Sequence, residues 1–328
     1  MENRNDILNP ESCNDDFINL RPNLLNDFIG QEALKKNLSI FIHASKIRQK
    51  AIDHILFYGP PGLGKTTLSQ IISKEMGTGF RMITGPMLTK SGDLAAILTN
   101  LQTNDVLFID EIHRLNPSIE EVLYSAMEDF RIDIIIGEGV AARTIKIDLQ
   151  PFTLIGATTK IGMISNPLRT RFGIPMQLNF YTEDELKDII MRDAEIIDVE
   201  IDKSGAMSIA KRSRGTPRIA IRILKRVADI ALYTDNSIIT EGFANKALNQ
   251  LGIDIYGLDD MDRRYLKFII ENYSGGPVGI DTIASGISDD VSSIEDVIEP
   301  YLIRHGLIEK TSRGRIVTQK SFVHLGLR

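Results

Sequence analysis

A glycine-rich run with a lysine and a threonine is the segment of this sequence that most directly indicates chemistry. Residues 59–66 read GPPGLGKT and lie between the apolar run Ile55–Tyr58 and a helix-like stretch. Glycines at crowded positions let successive backbone N–H groups point at an anion, and a lysine can reach the outer phosphates of a nucleotide. The N-terminus of the following helix favours anions, and a threonine hydroxyl suits Mg²⁺. The segment predicts an ATP site formed by Gly62, Gly64, Lys65, Thr66 and Thr67, with Lys65 also catalytic and Thr66 also a ligand of Mg²⁺.

Two carboxylates follow a second apolar run. Val106–Ile109 has the composition of a fully buried strand, and Asp110 and Glu111 come directly after it. Ligands bind beyond the carboxyl ends of parallel strands, so both side chains should face the nucleotide. We expect Asp110 to hold Mg²⁺ and Glu111 to polarise the attacking water, because phosphoryl transfer depends on positioning and charge neutralisation. A helix N-cap is the alternative role for either residue alone.

Two threonines follow a third apolar run, Phe152–Ile155. Thr158 and Thr159 would bring hydroxyls to the same sheet edge as Asp110, where one of them could contact the terminal phosphate or the attacking water. Threonines after a strand are just as often caps. The residues alone therefore leave open both the role and the choice between the two.

Two arginine-bearing turns could supply positive charge to a nucleotide. Residues 166–173 read NPLRTRFG, and Arg169 or Arg171 could reach a neighbouring subunit's nucleotide as an arginine finger. A surface ion pair is the alternative. Arg218 follows Pro217 at a predicted helix start, where a cation opposes the helix dipole. That placement is easier to explain if Arg218 serves a phosphate.

The stretch of residues 127–150 predicts a β-hairpin that turns around residues 137–139. Three residues at its start are counted among the nucleotide-binding candidates: Glu128, Asp129 and Phe130. Consecutive isoleucines at 134–136 put at least one apolar side chain on the outside of a protruding element. We therefore predict a partner-binding ridge that includes Ile134 and Ile136, with ordinary core burial as the alternative.

Positive charge collects near the C-terminus, although the whole chain has a net charge of −6. Residues 301–328 hold six Lys and Arg residues against Glu309 alone. The residues predicted to touch DNA phosphates are Lys310, Arg313 and Arg315, on or beside a glycine-containing turn. Such contacts position a duplex without reading its sequence. A solvated basic turn is the alternative.

The elements that must position these residues fall into three groups. Apolar runs that alternate with helical stretches predict a large ATPase domain over residues 1–181, with a parallel sheet wrapped by helices. Helical periodicity alone predicts a small helical lid domain over residues 182–252. Three helices and a hairpin predict a winged-helix DNA-binding domain over residues 255–328. The predicted fold class is an α/β P-loop NTPase followed by a lid and a C-terminal winged helix.

Composition excludes several other classes of protein. The chain has 328 residues, of which 43% are hydrophobic and 25% charged, as in ordinary globular proteins. Its apolar runs fall short of the about 18–20 residues that cross a bilayer, and its polar start lacks a signal-peptide pattern, so we expect no membrane partner and a cytoplasmic location. Cys13 is the single cysteine, which excludes an internal disulfide.

The order of these motifs, and several longer strings, resemble the RuvB family, the AAA+ motors of bacterial Holliday-junction branch migration. The resemblance covers about Arg21 to Leu327 and includes the strings GPPGLGKTTL, GDLAAILTNL, DVLFIDEIHRL, FTLIGATT, RGTPRIA, GGPVG and EPYLI. It implies an ATP-dependent DNA translocase or helicase that serves recombination and repair.

The resemblance also implies roles for single residues and for partners. Leu20, Arg21 and Tyr181 would border the nucleotide, Arg171 would be the finger in trans, Arg218 would be the second sensor, and Thr158 is preferred to Thr159 as the first sensor. The hairpin of residues 131–149 would bind RuvA, and a homohexameric ring would enclose duplex DNA. Whether RuvC joins the assembly stays open.

Three rival classes fit these residues less well. A protein-remodelling AAA+ machine usually carries an aromatic pore loop between the two nucleotide motifs, whereas residues 81–107 contain no Phe, Tyr or Trp. A clamp-loader subunit is expected to end in a helical collar instead of a basic hairpin. A nucleotide-switched transcription regulator would need neither Glu111 nor an arginine in trans for fast turnover.

Overall fold

The computed structural model describes residues 20–136 and 143–327, with only the backbone described for residues 134–136, 143 and 144. The described chain forms two compact units that divide between Tyr181 and Thr182. We call the part up to Tyr181 the first unit and the part from Thr182 onward the second unit.

The first unit is built on a parallel sheet. Its strands are β1 (Ile55–Tyr58), β2 (Phe80–Thr84), β3 (Val106–Asp110), β4 (Arg131–Ile136), β5 (Arg143–Asp148), β6 (Thr153–Thr158) and β7 (Ile174–Gln177). Five of them pair in the order β2-β3-β6-β1-β7, all parallel. β6 is central, with Tyr58 opposite Thr158 and Ile109 opposite Gly156. The carboxyl ends of β1, β6 and β3 therefore share one edge, where α/β proteins bind ligands.

Helices with one apolar face pack around this sheet. They are α1 (Glu32–Arg48), α2 (Lys65–Met76), α3 (Ser91–Thr99), α4 (Pro117–Asp129) and α5 (Asn166–Thr170). In α2 the buried residues Leu68, Ile71 and Ile72 recur at three- and four-residue spacing, which places one stripe against the core. α4 begins with Pro117, a residue whose fixed φ suits the first helical position.

The predicted hairpin is confirmed as the antiparallel pair β4 and β5, in which Ile132 opposes Ile147 and Ile134 opposes Ile145. Ile132 is fully buried in the main core, whereas Ile145 is 47% exposed. The turn at residues 137–139 lies outside the described residues, as do the side chains of Ile134 and Ile136. The predicted ridge at those two isoleucines stays a prediction.

The second unit is mainly helical. Its helices are α6 (Glu183–Ile196), α7 (Lys203–Lys211), α8 (Pro217–Tyr233), α9 (Glu241–Gln250), α10 (Asp260–Tyr273), α11 (Ile280–Ile287), α12 (Val291–Ser293), α13 (Glu299–Arg304) and α14 (Gln319–Leu325), with a π-helical turn at Ile294–Ile298. Thr182 starts α6 with a capping box to Glu185, which satisfies free backbone N–H groups. Helices α6–α9 form the lid, and the later elements form the winged helix around their own apolar core.

A short hairpin completes the winged helix. β8 (Ile308–Thr311) pairs antiparallel with β9 (Gly314–Val317), so that Lys310 opposes Arg315. Arg315 also exchanges two backbone hydrogen bonds with Val278, of 2.8 and 3.0 Å. Gly314 has φ +134°, and a Cβ there would lie 2.4 Å from the Val278 carbonyl oxygen. Only glycine allows this close approach.

The predicted fold class is confirmed, although β2, β7 and α14 are among the elements that were not predicted. β2 and β7 are the two edge strands of the sheet, where apolar patterning is weak: β2 is not fully buried at any position, and β7 contains Pro175. The predicted domain boundaries stay a prediction. Within the part of the chain that the structure describes, no helix is long and apolar enough to span a membrane.

Candidate nucleotide and DNA sites

The glycine-rich loop joins the carboxyl end of β1 to the start of α2. Gly59 has φ +139°, and a Cβ there would lie 2.4 Å from the Leu178 carbonyl oxygen. Gly62 and Gly64 also have positive φ, at 76° and 102°. Positive φ is open to glycine without strain, which explains the glycine spacing. The result is a loop that turns its backbone around the N-terminus of α2, as a phosphate cradle requires.

The loop's lysine is held from inside the loop. Lys65 Nζ donates to the carbonyl oxygens of Gly59 and Pro60, each at 2.8 Å, and the residue is only 8% exposed. Thr66 and Thr67 follow in the first turn of α2, and both are half-buried. Lys65, Thr66 and Thr67 are thus the first three residues of α2, at the positive end of the helix dipole, where an anion is stabilised.

Three further candidates lie against the loop or its helix. The Tyr181 hydroxyl donates to the Leu63 carbonyl oxygen at 3.2 Å, and Tyr181 is buried. Arg21 Nη1 donates to the Gln70 side chain on α2 at 3.4 Å, and Leu20 is 3% exposed. Although 160 residues separate Arg21 from Tyr181 in sequence, both contact the segment that starts at the loop.

The two carboxylates sit where β3 ends. Asp110 Oδ1 accepts a hydrogen bond of 3.0 Å from the Glu111 backbone N–H. Glu111 has φ +49°, a left-handed conformation that is uncommon for a residue with a Cβ and often marks functional sites. Its carboxylate forms an ion pair of 3.0 Å with Arg114, and both side chains are substantially exposed. Glu111 is therefore accessible at the sheet edge while resting against a neighbouring cation.

The two threonines after β6 differ in their surroundings. Thr158 is 1% exposed, and its Oγ1 accepts from the Lys160 backbone N–H at 2.9 Å and lies 3.0 Å from His113 Nδ1. Thr159 is exposed. In the contact with His113, the hydroxyl can donate to an unprotonated Nδ1 or accept from a protonated one, according to the imidazole tautomer.

His113 was missed by sequence reasoning. Burial is the largest cause that lowers its pKa below the usual value, opposed by the charge of Glu111. The neutral imidazole, which this shift favours, is the form that has a ring nitrogen able to accept from Thr158. A lone histidine after a strand carries no signal of such a role, because its partner lies 45 residues away.

Arg171 lies at the amino-terminal edge of the sheet, where the parallel strands begin. It follows α5 and precedes β7, whose first residue, Ile174, pairs with the first residue of β1. Arg171 Nη1 donates to the Pro167 carbonyl oxygen at 2.8 Å, and Nη2 donates to Glu128 Oε2 at 3.2 Å. Nε lies 3.2 Å from Glu128 Oε1 without hydrogen-bond geometry, so the Nη2 contact is the directional one.

An aromatic platform supports Arg171, and sequence reasoning missed it. The guanidinium carbon lies 4.4 Å from the centroid of the Tyr124 ring, within cation–π range. The Tyr124 hydroxyl donates to Glu120 Oε2 at 2.8 Å and lies 3.2 Å from Ser165 Oγ. Ser165 caps α5 and also donates to Glu120, at 2.5 Å. One carboxylate thus orients both the ring and the helix that carries Arg171.

Glu128, Asp129 and Phe130, predicted to bind a nucleotide, lie at the end of α4. The Phe130 ring packs against His54 and Phe152, which precede β1 and β6. They therefore lie at the amino-terminal edge of the sheet, opposite the phosphate loop of their own chain. The prediction that they bind a nucleotide can hold only for one carried by another copy of the chain. Helix α4 carries the chain from the carboxyl-terminal edge back to the amino-terminal edge, and its length sets where these three residues lie.

Arg218 belongs to the second unit. It is half-buried in the first turn of α8, directly after Pro217. Its predicted role as second sensor stays a prediction.

The three residues of the basic hairpin that were predicted to contact DNA differ in their exposure. Arg313 is exposed in the turn, and the Lys310 side chain is 51% exposed while pairing with Glu295 at 3.0 Å. Arg315 is wrongly predicted to contact DNA, because its side chain is only 9% exposed. Its Nε donates to the buried Glu299 at 2.7 Å and its Nη2 to the partly exposed Glu295 at 2.9 Å, so the guanidinium neutralises carboxylates of its own chain.

The residues that would hold Mg²⁺ are Thr66 and Asp110. A hydroxyl oxygen at the start of α2 and a carboxylate at the end of β3 are the hard oxygen donors that Mg²⁺ prefers. Protein sites for Mg²⁺ commonly provide only one or two such groups, and the phosphates and water supply the rest. The donor set therefore fits the ion.

Comparisons with known proteins agree along the whole described chain. Models of the RuvB P-loop domain of Holliday junction DNA helicases, the RuvB AAA lid domain and the RuvB C-terminal winged helix match residues 20–178, 181–254 and 255–326. The structure of the Thermotoga maritima RuvB Holliday junction branch migration motor is 51% identical, with a TM-score of 0.86, over 94% of this chain and 99% of that one. A point mutant of Thermotoga maritima RuvB is 52% identical, with the same TM-score and coverage. With this identity over nearly its full length, the chain belongs to the RuvB family of Holliday junction DNA helicases.

Proposed function

We propose that this chain is an ATP-driven motor that moves Holliday junctions together with RuvA in recombination and DNA repair. The observation that carries the proposal is the sheet edge at which the phosphate loop, Thr158 and the Asp110–Glu111 pair end three adjacent parallel strands. A loop alone binds a nucleotide, whereas a carboxylate beside it can activate water. The edge therefore supports hydrolysis in addition to binding.

The proposed chemistry assigns one task to each side chain. Lys65 leaves the two loop carbonyls to contact the outer phosphates, and Thr158 holds the terminal phosphate or the attacking water. Mg²⁺, when bound to Thr66 and Asp110, neutralises phosphate charge. Glu111 orients the attacking water and accepts its proton. Because Glu111 pairs with Arg114 at 3.0 Å, that ion pair must open for Glu111 to act.

A second copy of the chain would complete the site. Arg171 lies at the edge of the sheet opposite its own phosphate loop, so the nucleotide it can serve belongs to a neighbour. This separation supports Arg171 as an arginine finger in trans, with Glu128 beside it. Repeating such a head-to-tail contact around an axis closes a ring, and we propose the homohexamer that the family resemblance implies. Arg218 is the proposed second sensor, and Leu20, Arg21 and Tyr181 the proposed nucleotide border.

The exposed part of the basic hairpin would hold the substrate. Lys310 and Arg313 are the proposed phosphate contacts to duplex DNA, made without regard to sequence. The β4–β5 hairpin is the proposed RuvA contact, supported by the exposure of Ile145 at 47% on an element that leaves the core. RuvC is a candidate further partner, and the proposed location is the cytoplasm.

Migration of a synthetic four-way junction with added ATP, with and without RuvA, tests the proposal. The native chain with RuvA is expected to convert the junction, whereas Lys65→Ala and Glu111→Gln are expected not to. Glu111→Gln should still bind ATP, which separates lost hydrolysis from lost binding. Glu195→Gln, which makes the same change at an exposed position on α6, is the matched control and should retain migration. No ATP-dependent migration by the native chain with RuvA overturns the proposed function.

A further inference from the structure

A buried arginine joins the lid to the winged helix. Arg214 lies in the turn between α7 and α8, four residues before Arg218, and is only 5% exposed. It has φ +56°, so its backbone adopts the uncommon left-handed conformation. A cation so deeply buried is costly unless it is paired and hydrogen-bonded. The groups that contact Arg214 therefore indicate which part of the chain this turn holds in place.

The side-chain partners of Arg214 all come from the winged helix or the segment leading into it. Nη2 forms an ion pair with Asp262 in the first turn of α10, and Nε donates to the Gly257 carbonyl oxygen at 2.9 Å. The guanidinium carbon lies 4.7 Å from the ring centroid of Tyr301 on α13. Arg304 returns a contact by donating from Nη2 to the Arg214 carbonyl oxygen at 3.2 Å. A planar guanidinium held along two directions and on one face fixes orientation as well as distance.

The backbone around Arg214 leaves little room for movement. Gly257 has φ +70°, and a Cβ there would lie 2.8 Å from the Arg212 carbonyl oxygen. Arg212 Nε donates to the Asp254 carbonyl oxygen at 3.0 Å, and the Asp254 carboxylate lies 2.7 Å from His324 on α14. The chain that leaves the lid is thus held at both ends, instead of forming a flexible linker.

We propose that Arg214 is a positioning residue that makes the lid and the winged helix move as one body. The inference rests on the proposed function, because a rigid joint matters only if ATP turnover moves α8. Arg214 lies three residues before Pro217, at the start of that helix, so displacement of the helix start acts directly on the Arg214 contacts. Those contacts pass the movement to α10 and α13, and through them to the basic hairpin. Arg214 therefore converts a lid movement into a movement of bound DNA.

Arg214→Lys tests the proposal, because lysine keeps the charge but cannot contact Gly257 and Asp262 with a planar fork. The expected result is uncoupling: ATPase stays within about twofold, while junction migration per ATP hydrolysed falls by about fivefold or more, as for a lost coupling between sites. The matched control is Arg226→Lys on α8, which alters a surface pair with Asp229 and should change neither rate. Equal losses of ATPase and migration, or no loss in either, overturn the proposal.

A second measurement needs no change at Arg214. Spin labels at exposed Lys246 on α9 and at Val323 on α14, in a Cys13→Ser background and diluted with unlabelled chain, report the distance between lid and winged helix. One narrow distance is expected without nucleotide, with ADP, with a non-hydrolysable ATP analogue and with junction DNA. A distance that shifts with nucleotide overturns the rigid joint. Absent junction migration by the native chain would instead overturn the proposed function, whatever the spin-label distance.

Discussion

The carboxyl-terminal and amino-terminal edges of the parallel sheet hold different parts of the proposed reaction. At the carboxyl-terminal edge, Lys65 is held by its own loop and Thr158 by its own neighbours. At the amino-terminal edge, Arg171 is supported by Tyr124 and Glu128 but has no phosphate loop of its own within reach. The first edge is organised by contacts inside one chain, whereas the cation at the second is proposed to act on another chain.

This difference teaches how hydrolysis can depend on assembly. A chain that carried both the loop and the finger on one edge would hydrolyse ATP alone. Under the proposed function, splitting them across the sheet means that neither half turns over quickly until a second copy brings its finger to the first copy's loop. Variants of the two edges should therefore differ in whether a partner chain can rescue them.

Removal of the finger has the largest expected effect. Arg171→Ala should lower the ATPase rate by about 10³-fold or more, since fingers contribute about 10³–10⁵ in rate. Nucleotide affinity should change little, because the variant's own loop is intact. Steady-state ATPase and binding of a fluorescent nucleotide measure the two effects.

Arg169→Ala is the matched control for the finger. Arg169 is exposed and lies two residues away, so its loss should leave the rate within a few fold. Equal ATPase rates in the native chain and Arg171→Ala would remove Arg171 from the reaction.

Mixing two inactive variants tests the separation of the edges directly. Lys65→Ala should lose about 10²–10³ in rate, because it removes a charge that stabilises the transition state. In an equal mixture with Arg171→Ala, about a quarter of the head-to-tail interfaces should combine an intact loop with an intact finger. ATPase should therefore reappear on mixing.

A double variant, Lys65→Ala with Arg171→Ala, is the control for the mixture. Neither single variant can form an intact interface with it, so activity should stay absent. Recovery with the double variant, or none between the two single variants, would contradict the two-edge arrangement.

Removal of the Tyr124 ring beneath Arg171 should have a smaller effect on the ATPase rate. Tyr124→Leu removes the ring and should lower the ATPase rate by about 3- to 30-fold, since a cation–π contact contributes about 0.5–2 kcal/mol. Tyr124→Phe keeps the ring but loses the hydroxyl contacts to Glu120 and Ser165, and should fall less. The measurement is ATPase at saturating ATP, with thermal unfolding to check stability.

The nucleotide affinity of the Tyr124→Leu variant shows whether the Tyr124 side chain acts through Arg171. An effect through Arg171 lowers turnover in the neighbouring site and leaves affinity at the variant's own loop unchanged. If the affinity for nucleotide fell as much as the turnover, Tyr124 would instead contribute to the general stability of the fold.

Local backbone chemistry explains how much the sequence could predict. The glycine spacing dictates the phosphate loop, and a buried apolar run followed by two carboxylates dictates that Asp110 and Glu111 emerge at a sheet edge. Both follow from neighbours in sequence. The difference in burial between Thr158 and Thr159 could not be predicted, because it depends on the strands on either side.

Contacts between distant residues could not be predicted. Arg171 meets Glu128 across 43 residues, and Arg315 meets Glu299 across 16, so neither pair has a periodic signature. Arg315 reads as basic and therefore as DNA-binding, yet the register of β9 turns it toward α13. The sign of a charge was visible in the sequence, but the direction of its side chain was not.

The smallest expected effect, at His113, tests whether the carboxyl-terminal edge is complete within one chain. His113→Ala removes the hydrogen-bond partner of the Thr158 hydroxyl and should lower ATPase by about twofold to tenfold, as expected for one hydrogen bond. His113→Asn keeps an acceptor that does not titrate and should lose less.

The pH dependence of ATPase separates the role of the imidazole from simple packing. Burial lowers the pKa of His113, so the neutral form dominates near pH 7 and its contribution is lost as pH falls through that lowered pKa. The native chain should therefore lose activity on the acid side, and His113→Asn should lose less. When His113→Ala is mixed with native chain, the ATPase rate of each variant site should stay reduced, because the partner of His113, Thr158, is in the same chain. In this respect His113→Ala should differ from the finger variants. Rescue of the His113→Ala site by a neighbouring native chain would show that this edge, too, is shared between subunits.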